Sequence, residues 1–423
     1  MKGSSPSIYD DFELLIGLDW ADKKHDICEY DACSQQYKFS VIPHTPDAIQ
    51  AWLLSLQERY PGKRFAIACE LTKGPLINAL QACEDVVIYP LNPSMVARYR
   101  KAFASSGSKS DPVDAKIQVE ILQYHRDKLT PLKPQSDSIR QLNQLVLFRR
   151  KLVQDRVSLS NKITGILKQY FPQSLLWFKE KDTVIFCDFL MRWTTLEQAQ
   201  AARKTTFLAF FSKHNSHYPD VNEARFTQLK AAKPLTRDEA IIKPNSLMIS
   251  LLVPQLKQLL LAIRTLDEEI KELYIQHDDH IIFDSLPGAG PCYAPRLLAA
   301  FGEDRARYQS ASDIQKYAGI APVIEASGQK AWIHWRYHCP KFLRQSLVEW
   351  AGQTVRYSYW AKAFYEQQIG KGKSHNVAIR ALTFKWIRIV WRCWQDRKVY
   401  DESTYLNALR VKGSQLLKYA VDN

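Results

Sequence analysis

Leu14-Leu-Ile-Gly-Leu-Asp19 and Phe65-Ala-Ile-Ala-Cys-Glu70 decide the fold. Each is a short apolar run that closes on an acid. Runs of this length, bounded by polar residues, read as buried strands. The chain around them alternates. Ile27–Tyr30 and Gln36–Ile42 read as strands that extend the first run into a three-stranded meander, and Asp47–Arg59 as a helix. Leu76–Cys83 reads as a second helix, Val86–Pro90 as a third buried strand and Ser94–Phe103 as a basic helix. A polar loop over Ala104–Asp111 and a helix over Ala115–His125 complete the unit. Strands first, then strand–helix alternation, predict a mixed α/β domain over residues 12–125.

From about residue 137 the pattern turns helical, so the expected class is α/β plus α. Ile139, Leu142, Leu145, Leu152, Leu159, Ile163 and Leu167 form an apolar stripe among arginines and lysines. Leu252, Leu256, Leu259, Ile263, Leu266, Ile270 and Leu273 repeat in alternating steps of four and three, a heptad seam. Pro254 is expected near the start of that helix, because a proline is tolerated in the first turn. The pair predicts an antiparallel helical hairpin or an oligomeric coiled coil over 126–279. An insertion around 171–245, rich in Phe, Trp, Lys and Gln, takes no firm assignment. Residues 280–400 form a third unit, with 401–423 as a short tail. That unit opens on Ser285-Leu-Pro-Gly-Ala-Gly290 before an apolar helix. This Gly turn suits either a phosphate-holding helix–hairpin–helix or an ordinary packing element.

Charge narrows the partners. Lys+Arg total 58 against Asp+Glu 44, a net charge of +14. Residues 91–170 carry a net +9 and residues 328–400 a net +11, leaving the remainder at −6. Two basic tracts favour a polyanion, nucleic acid or an anionic membrane surface. The membrane is disfavoured: no uninterrupted apolar run of ~18 residues occurs, and MKGSSPSIYDDFE has no apolar signal core. A cytoplasmic protein is expected. The eight cysteines are scattered without a CxxC pair, so reduced and mostly buried thiols are expected, not zinc ligands.

Four acids stand out in the first domain: Asp19, Glu70, Asp111 and Asp114. The first two end strands. The other two are three apart at a helix start and share a face. Gathered carboxylates repel one another unless cations neutralise them, and hard oxygen donors suit Mg²⁺, or Mn²⁺. Two such ions can activate an attacking oxygen and stabilise a leaving one at a phosphodiester. Singly, each acid has a plainer reading: Asp111 as a helix N-cap, Asp19 and Glu70 as partners of lysines. Three other patterns are set aside. Gly370-Lys-Gly-Lys-Ser374 lacks the first glycine of a P-loop. His334 and His338 lack further metal ligands. The run Trp386–Trp394 reads as core packing with a basic outer face.

The segments IGLDWADKKHD, AIACELTKG, SKSDPVDAK, LPGAG, YAGIAPVIEASG and FLRQSL follow one another in this order. They resemble the DEDD transposases of the insertion sequence 110 family, which include pilin-gene invertases. The resemblance implies an N-terminal RuvC-like (RNase H-fold) domain, a coiled coil and a mostly helical C-terminal transposase domain. It implies that Asp19, Glu70, Asp111 and Asp114 are the metal-binding quartet. It also implies that Ser327 is a nucleophile forming a covalent phosphoseryl link, which conserves bond energy for rejoining. DNA ends and target would be the substrates, with a structured bridge RNA as guide. A homo-oligomer, dimer or tetramer, would share composite active sites and associate with the nucleoid. Arg344 matches an arginine of the family's Leu-Arg motif. Lys109, Arg336 and Lys341 are further candidate phosphate contacts. This chain has Ser327-Gly-Gln-Lys330 where the family more often has Ser-Gly-Ser-Ser. Two rivals remain: an RNase H-fold metal nuclease such as a junction resolvase, needing the acids and not Ser327, and a non-catalytic nucleic-acid scaffold. Without the resemblance, Ser327 would read as a turn serine.

Overall fold

The computed structural model describes residues 12–103, 111–216, 218–337, 339–414 and 416. The chain divides into two compact units, 1–135 and 136–423.

The first unit is built on a five-stranded sheet in the order β3-β2-β1-β4-β5. Its strands are β1 (Leu14–Trp20), β2 (Lys24–Asp31), β3 (Gln36–Pro43), β4 (Phe65–Cys69) and β5 (Val86–Pro90). The first three form the expected antiparallel meander, and β4 and β5 join β1 in parallel. The two faces differ in side-chain size. Leu14, Ile16, Leu18, Phe65 and Ile67 fill the face covered by α1 (Pro46–Arg59) and α2 (Pro75–Gln81). Gly17, Ala66 and Ala68 lie on the face covered by α3 (Pro93–Phe103) and α4 (Asp111–His125). Small residues there let α4 approach closely. A Cβ on Gly17 would stand 1.9 Å from the Ala115 carbonyl oxygen. One turn on, Gln118 is buried and its Oε1 accepts a hydrogen bond from the Leu18 N–H at 2.9 Å. The position of α4 over β1 is thus fixed by backbone contact.

The second unit opens on two long helices, α5 (Asp137–Tyr170) and, after an intervening lobe, α11 (Glu239–Ile275). They run antiparallel. Ile139 and Leu142 share a core with Ile270 and Tyr274, whereas Ile163 and Leu167 share one with Ile249 and Leu256. The heptad seam lies on this contact. Pro254 is not near the helix start, as expected from sequence, but well inside it, and Pro244 is internal too. Each proline removes a backbone donor. The residue after each one, Asn245 or Gln255, donates its side-chain amide to the carbonyl four residues back, at 2.9 and 3.0 Å. By length and composition α11 could cross a membrane. A helix that packs along a partner meets the same criterion, and α11 packs on α5.

Residues 171–238, unassigned from sequence, fold into α6 (Ser174–Trp177), α7 (Val184–Arg192), α8 (Leu196–Ala201), α9 (Lys204–Lys213) and α10 (Pro219–Ala231). An aromatic core of Phe178, Phe189, Trp193, Phe207 and Phe211 holds them against α5 and α11. These helices are too short to display a helical period, and rings packed in tilted and stacked pairs replace the aliphatic stripe.

The rest of the unit comprises α12 (His280–Asp284), α13 (Gly290–Phe301), α14 (Ala311–Tyr317), strands β6 (Val323–Ser327) and β7 (Lys330–His334), then α15 (Lys341–Tyr357), α16 (Tyr359–Gly370), α17 (His375–Gln395) and α18 (Glu402–Val411). Trp350, Trp360, Trp386 and Trp394 are fully buried in its core. Every indole N–H finds an acceptor there, on Pro287 O, Tyr400 Oη, Thr354 Oγ1 and Gly302 O respectively. The Trp386–Trp394 run is core, as its spacing predicts. Gly288 sits at φ +68°, and a Cβ there would lie 2.7 Å from the Tyr357 ring. The glycine turn of residues 285–290 packs closely against α15. Residues 402–411, read from sequence as tail, pack back on the core, with Tyr405 4.8 Å from Trp360.

Candidate functional site

Strand register sets Asp19 and Glu70 side by side. In the parallel pair β1–β4, Leu18 is level with Cys69, so Asp19 and Glu70 are the next residues along, at the carboxyl ends of neighbouring strands. Alternation decides the face. Leu15 and Gly17 point towards α4, and Asp19 follows by the period of two. On β4, Ala66 and Ala68 point the same way, and the alternation carries Glu70 with them. Asp114 lies on α4 immediately before Ala115, the residue in contact with Gly17. It is 5% exposed and ion-paired to Arg100 of α3. A buried carboxylate needs such a partner. Asp111 begins α4 three residues earlier, and its side chain lies outside the described residues, as does all of Lys109.

Sequence reasoning missed Asp26. It is directly opposite Asp19 in the antiparallel β1–β2 pair, hence on the same face. It is 4% exposed and held by Lys24 at 3.0 Å. Only the strand register reveals this neighbour; the seven-residue spacing of the two acids does not.

The donor set is entirely carboxylate oxygen, which fits Mg²⁺ or Mn²⁺ in kind. Among the described residues, no group of three histidine, cysteine or carboxylate side chains is close enough to hold a metal ion. The thiols of this face offer no alternative chemistry. Burial pushes Cys28 up to about 12, far from the thiolate form at neutral pH. All eight cysteines are free, but only Cys28, Cys69 and Cys187 are buried; Cys33 is exposed and the other four are intermediate. The expectation of mostly buried thiols is corrected accordingly.

In the second unit Ser327 ends β6 and faces Lys330, the first residue of β7, across a two-residue turn. Gly328 occupies the first turn position at φ +58°, a requirement of the II′ hairpin that glycine meets without strain. Ser327 is exposed at the tip of this ribbon. His334, near Ser327 in sequence, is paired with Val323 at the far end, ~13 Å away at the usual strand rise. Arg336, Lys341 and Arg344 lie beyond that end, and His338 lies outside the described residues. The ribbon is rooted by Arg380, a residue sequence reasoning did not single out. Its guanidinium stacks 3.8 Å from the Trp335 ring centre and donates to the carbonyls of Gly319 and Ile320 at 2.6 and 3.2 Å. Burial and the nearby Arg344 lower its pKa from the usual arginine value.

Two family models match the chain. One describes a transposase of the IS110 DEDD type and matches residues 16–172; the other describes the transposase IS116/IS110/IS902 family and matches residues 281–366. Among curated proteins the chain is similar to the "Mini-circle putative transposase for IS117" of Streptomyces coelicolor. The two are 27% identical over 404 residues, covering 93% of this chain and 96% of that one. It is also similar to the IS116 uncharacterized 44.8 kDa protein of Streptomyces clavuligerus, at 24% identity, covering 92% and 96% of the two chains. A 42 kDa IS900 protein of Mycobacterium paratuberculosis is 26% identical over 70% of this chain and 74% of its own.

Proposed function

The chain belongs to the IS110/IS116 transposase family, and from that premise we propose that it cuts and rejoins DNA strands of a mobile element with a carboxylate quartet and a serine nucleophile. The observation that carries the reading is the adjacency of Asp19 and Glu70 on parallel strands, with Asp114 on the helix that packs against Gly17 of the same sheet face. The strand order, an antiparallel meander continued by two parallel strands, is the order of an RNase H-type, RuvC-like sheet. Asp19, Glu70, Asp111 and Asp114 would hold Mg²⁺ or Mn²⁺, which when bound supplies charge to polarise a phosphodiester oxygen. Ser327 takes the cut strand as a phosphoserine, and the basic tracts bind DNA and a structured guide RNA. Nucleoid association would follow from that binding.

The test is incubation of full-length protein with element-end DNA, Mg²⁺ and co-purified RNA, followed by denaturing electrophoresis. A covalent protein–DNA band is expected. Cleavage without any such band would favour the plain nuclease.

Two smaller predictions follow from the same reading. Gly328→Val forces a β-branched residue into positive φ at the tip. It should lower adduct formation at least ~10-fold by misplacing the serine, while unfolding shifts by less than ~1 kcal/mol, because the ribbon is exposed. Denaturant melts beside adduct assays check both. A homo-oligomer is supported by α11, whose outer side exposes Leu247, Leu251 and Leu261. An apolar hollow of about 520 Å³ between Phe148, Leu152, Ala262 and Leu266 lies on the same helix pair. Leu251→Glu is expected to shift the protein to a smaller species in light scattering without changing its circular dichroism; an unchanged mass would oppose the assignment.

A further inference from the structure

The β6–β7 ribbon has two unlike faces. Directly opposed residues share a face. Ile324 and Ala326 oppose Ile333 and Ala331, so one face is wholly apolar. The other carries Val323, Glu325 and Ser327 opposite His334, Trp332 and Lys330. Ser327 and Lys330 are therefore neighbours on the polar face at the very tip, with Cβ atoms ~4.5–5.5 Å apart by the usual cross-strand spacing. The lysine stem is long enough to bring its ammonium beside the serine oxygen.

The surroundings leave that cation available. Glu325, the acid on this face, lies one polar-face pair from the tip, and its carboxylate is turned to His334 Nε2 of the far end, at 3.3 Å. Among the described residues no ion pair is made by Lys330, and its side chain is exposed. A turn serine needs no such neighbour, whereas a serine that attacks a phosphodiester does.

We propose that Lys330 is the phosphate-binding partner of Ser327. It rests on the serine reading above. The Ser327 Oγ–P bond forms and the P–O bond to one deoxyribose oxygen breaks. The serine hydroxyl loses its proton to solvent, and the leaving oxygen takes one up as a hydroxyl. Lys330 remains an ammonium throughout. Its N–H groups donate to a non-bridging oxygen as negative charge grows there in the five-coordinate transition state, and they stay on the phosphoserine diester afterwards. The same contact serves rejoining, which runs the step in reverse. A point charge with rotatable donors suits an oxygen that changes geometry during displacement better than a fixed fork does.

The experiment compares wild type, Ser327→Ala, Lys330→Met and Lys330→Arg as full chains. The probe is duplex DNA spanning an element end, with Mg²⁺ and the co-purified RNA. Adduct formation is followed over time, and DNA affinity is measured in parallel. Lys330→Met is expected to slow adduct formation ~10²–10³-fold, with Lys330→Arg recovering at least a tenth of the wild-type rate. DNA affinity should fall less than ~10-fold, as for one phosphate contact among many. A lysine that merely held the hairpin would give an arginine variant and a methionine variant of equal rate. Adduct in the wild type, none in Ser327→Ala, and an undiminished rate in Lys330→Met overturns the lysine assignment alone. No adduct in the wild type, or adduct persisting in Ser327→Ala, overturns the serine reading and this inference with it.

Discussion

Gly17→Ala is expected to destabilise the first unit by ~2–3 kcal/mol or more and to abolish DNA cleavage. The added methyl would stand 1.9 Å from the Ala115 carbonyl oxygen, which is backbone of a helix and cannot rotate away. Either α4 lifts from the sheet or β1 bends. In both cases the Leu18 N–H to Gln118 bond is lost, and Asp114 leaves the carboxyl end of β1. A control of opposite sign is available in the same chain. Gly165 lies exposed within α5 with nothing within 4 Å of a built Cβ. Gly165→Ala should stabilise by ~0.5–1 kcal/mol through helix propensity alone. Chemical denaturation of the two variants checks both. Equal and small effects would mean that α4 does not depend on the glycine.

Asp19→Asn and Ser327→Ala should separate the two chemistries. Asp19→Asn keeps the size of the side chain and removes its charge from the sheet end. Strand cleavage is expected to fall at least ~10³-fold, with unfolding little changed because Asp19 is only half buried. Ser327→Ala should eliminate the covalent adduct altogether. Asp114→Asn strands Arg100, whose side chain is 18% exposed, without its counter-ion. It should therefore lose stability as well as activity. A scaffold protein would show none of these losses of activity, though Asp114→Asn would still cost it stability, and a plain nuclease would lose cleavage in Asp19→Asn and nothing in Ser327→Ala. Gel assays of cleavage and of adduct, run on the same preparations, distinguish the three.

The sheet was legible because its strands are continuous apolar runs with clear polar boundaries, and the acids that end β1 and β4 are visible as the next residue. Pairing register was not legible. Asp26 opposite Asp19, and Lys330 opposite Ser327, are neighbours only once two strands are aligned, and a slip of one residue would put either on the other face. Spacing along the chain misled in the opposite direction. His334, Arg336, Lys341 and Arg344 look close to Ser327 in sequence, but an extended ribbon carries the serine away from them. The 171–238 lobe stayed unread because its helices are short and its core is aromatic. Pro254 misled because the propensity rule against internal proline is local, whereas α11 is held by packing along its length, sharing buried cores with α5 at both ends.

The central claim is that the carboxyl ends of β1 and β4 and the start of α4 form one divalent-cation site. Manganese binding to full-length protein, followed by electron paramagnetic resonance in wild type, Asp19→Asn and Glu70→Gln, tests it most directly. Saturable binding in the wild type that is lost in both variants, with melting temperature raised by Mn²⁺ in the wild type alone, is the predicted result. Identical manganese binding in all three proteins would contradict it, as would no binding in any.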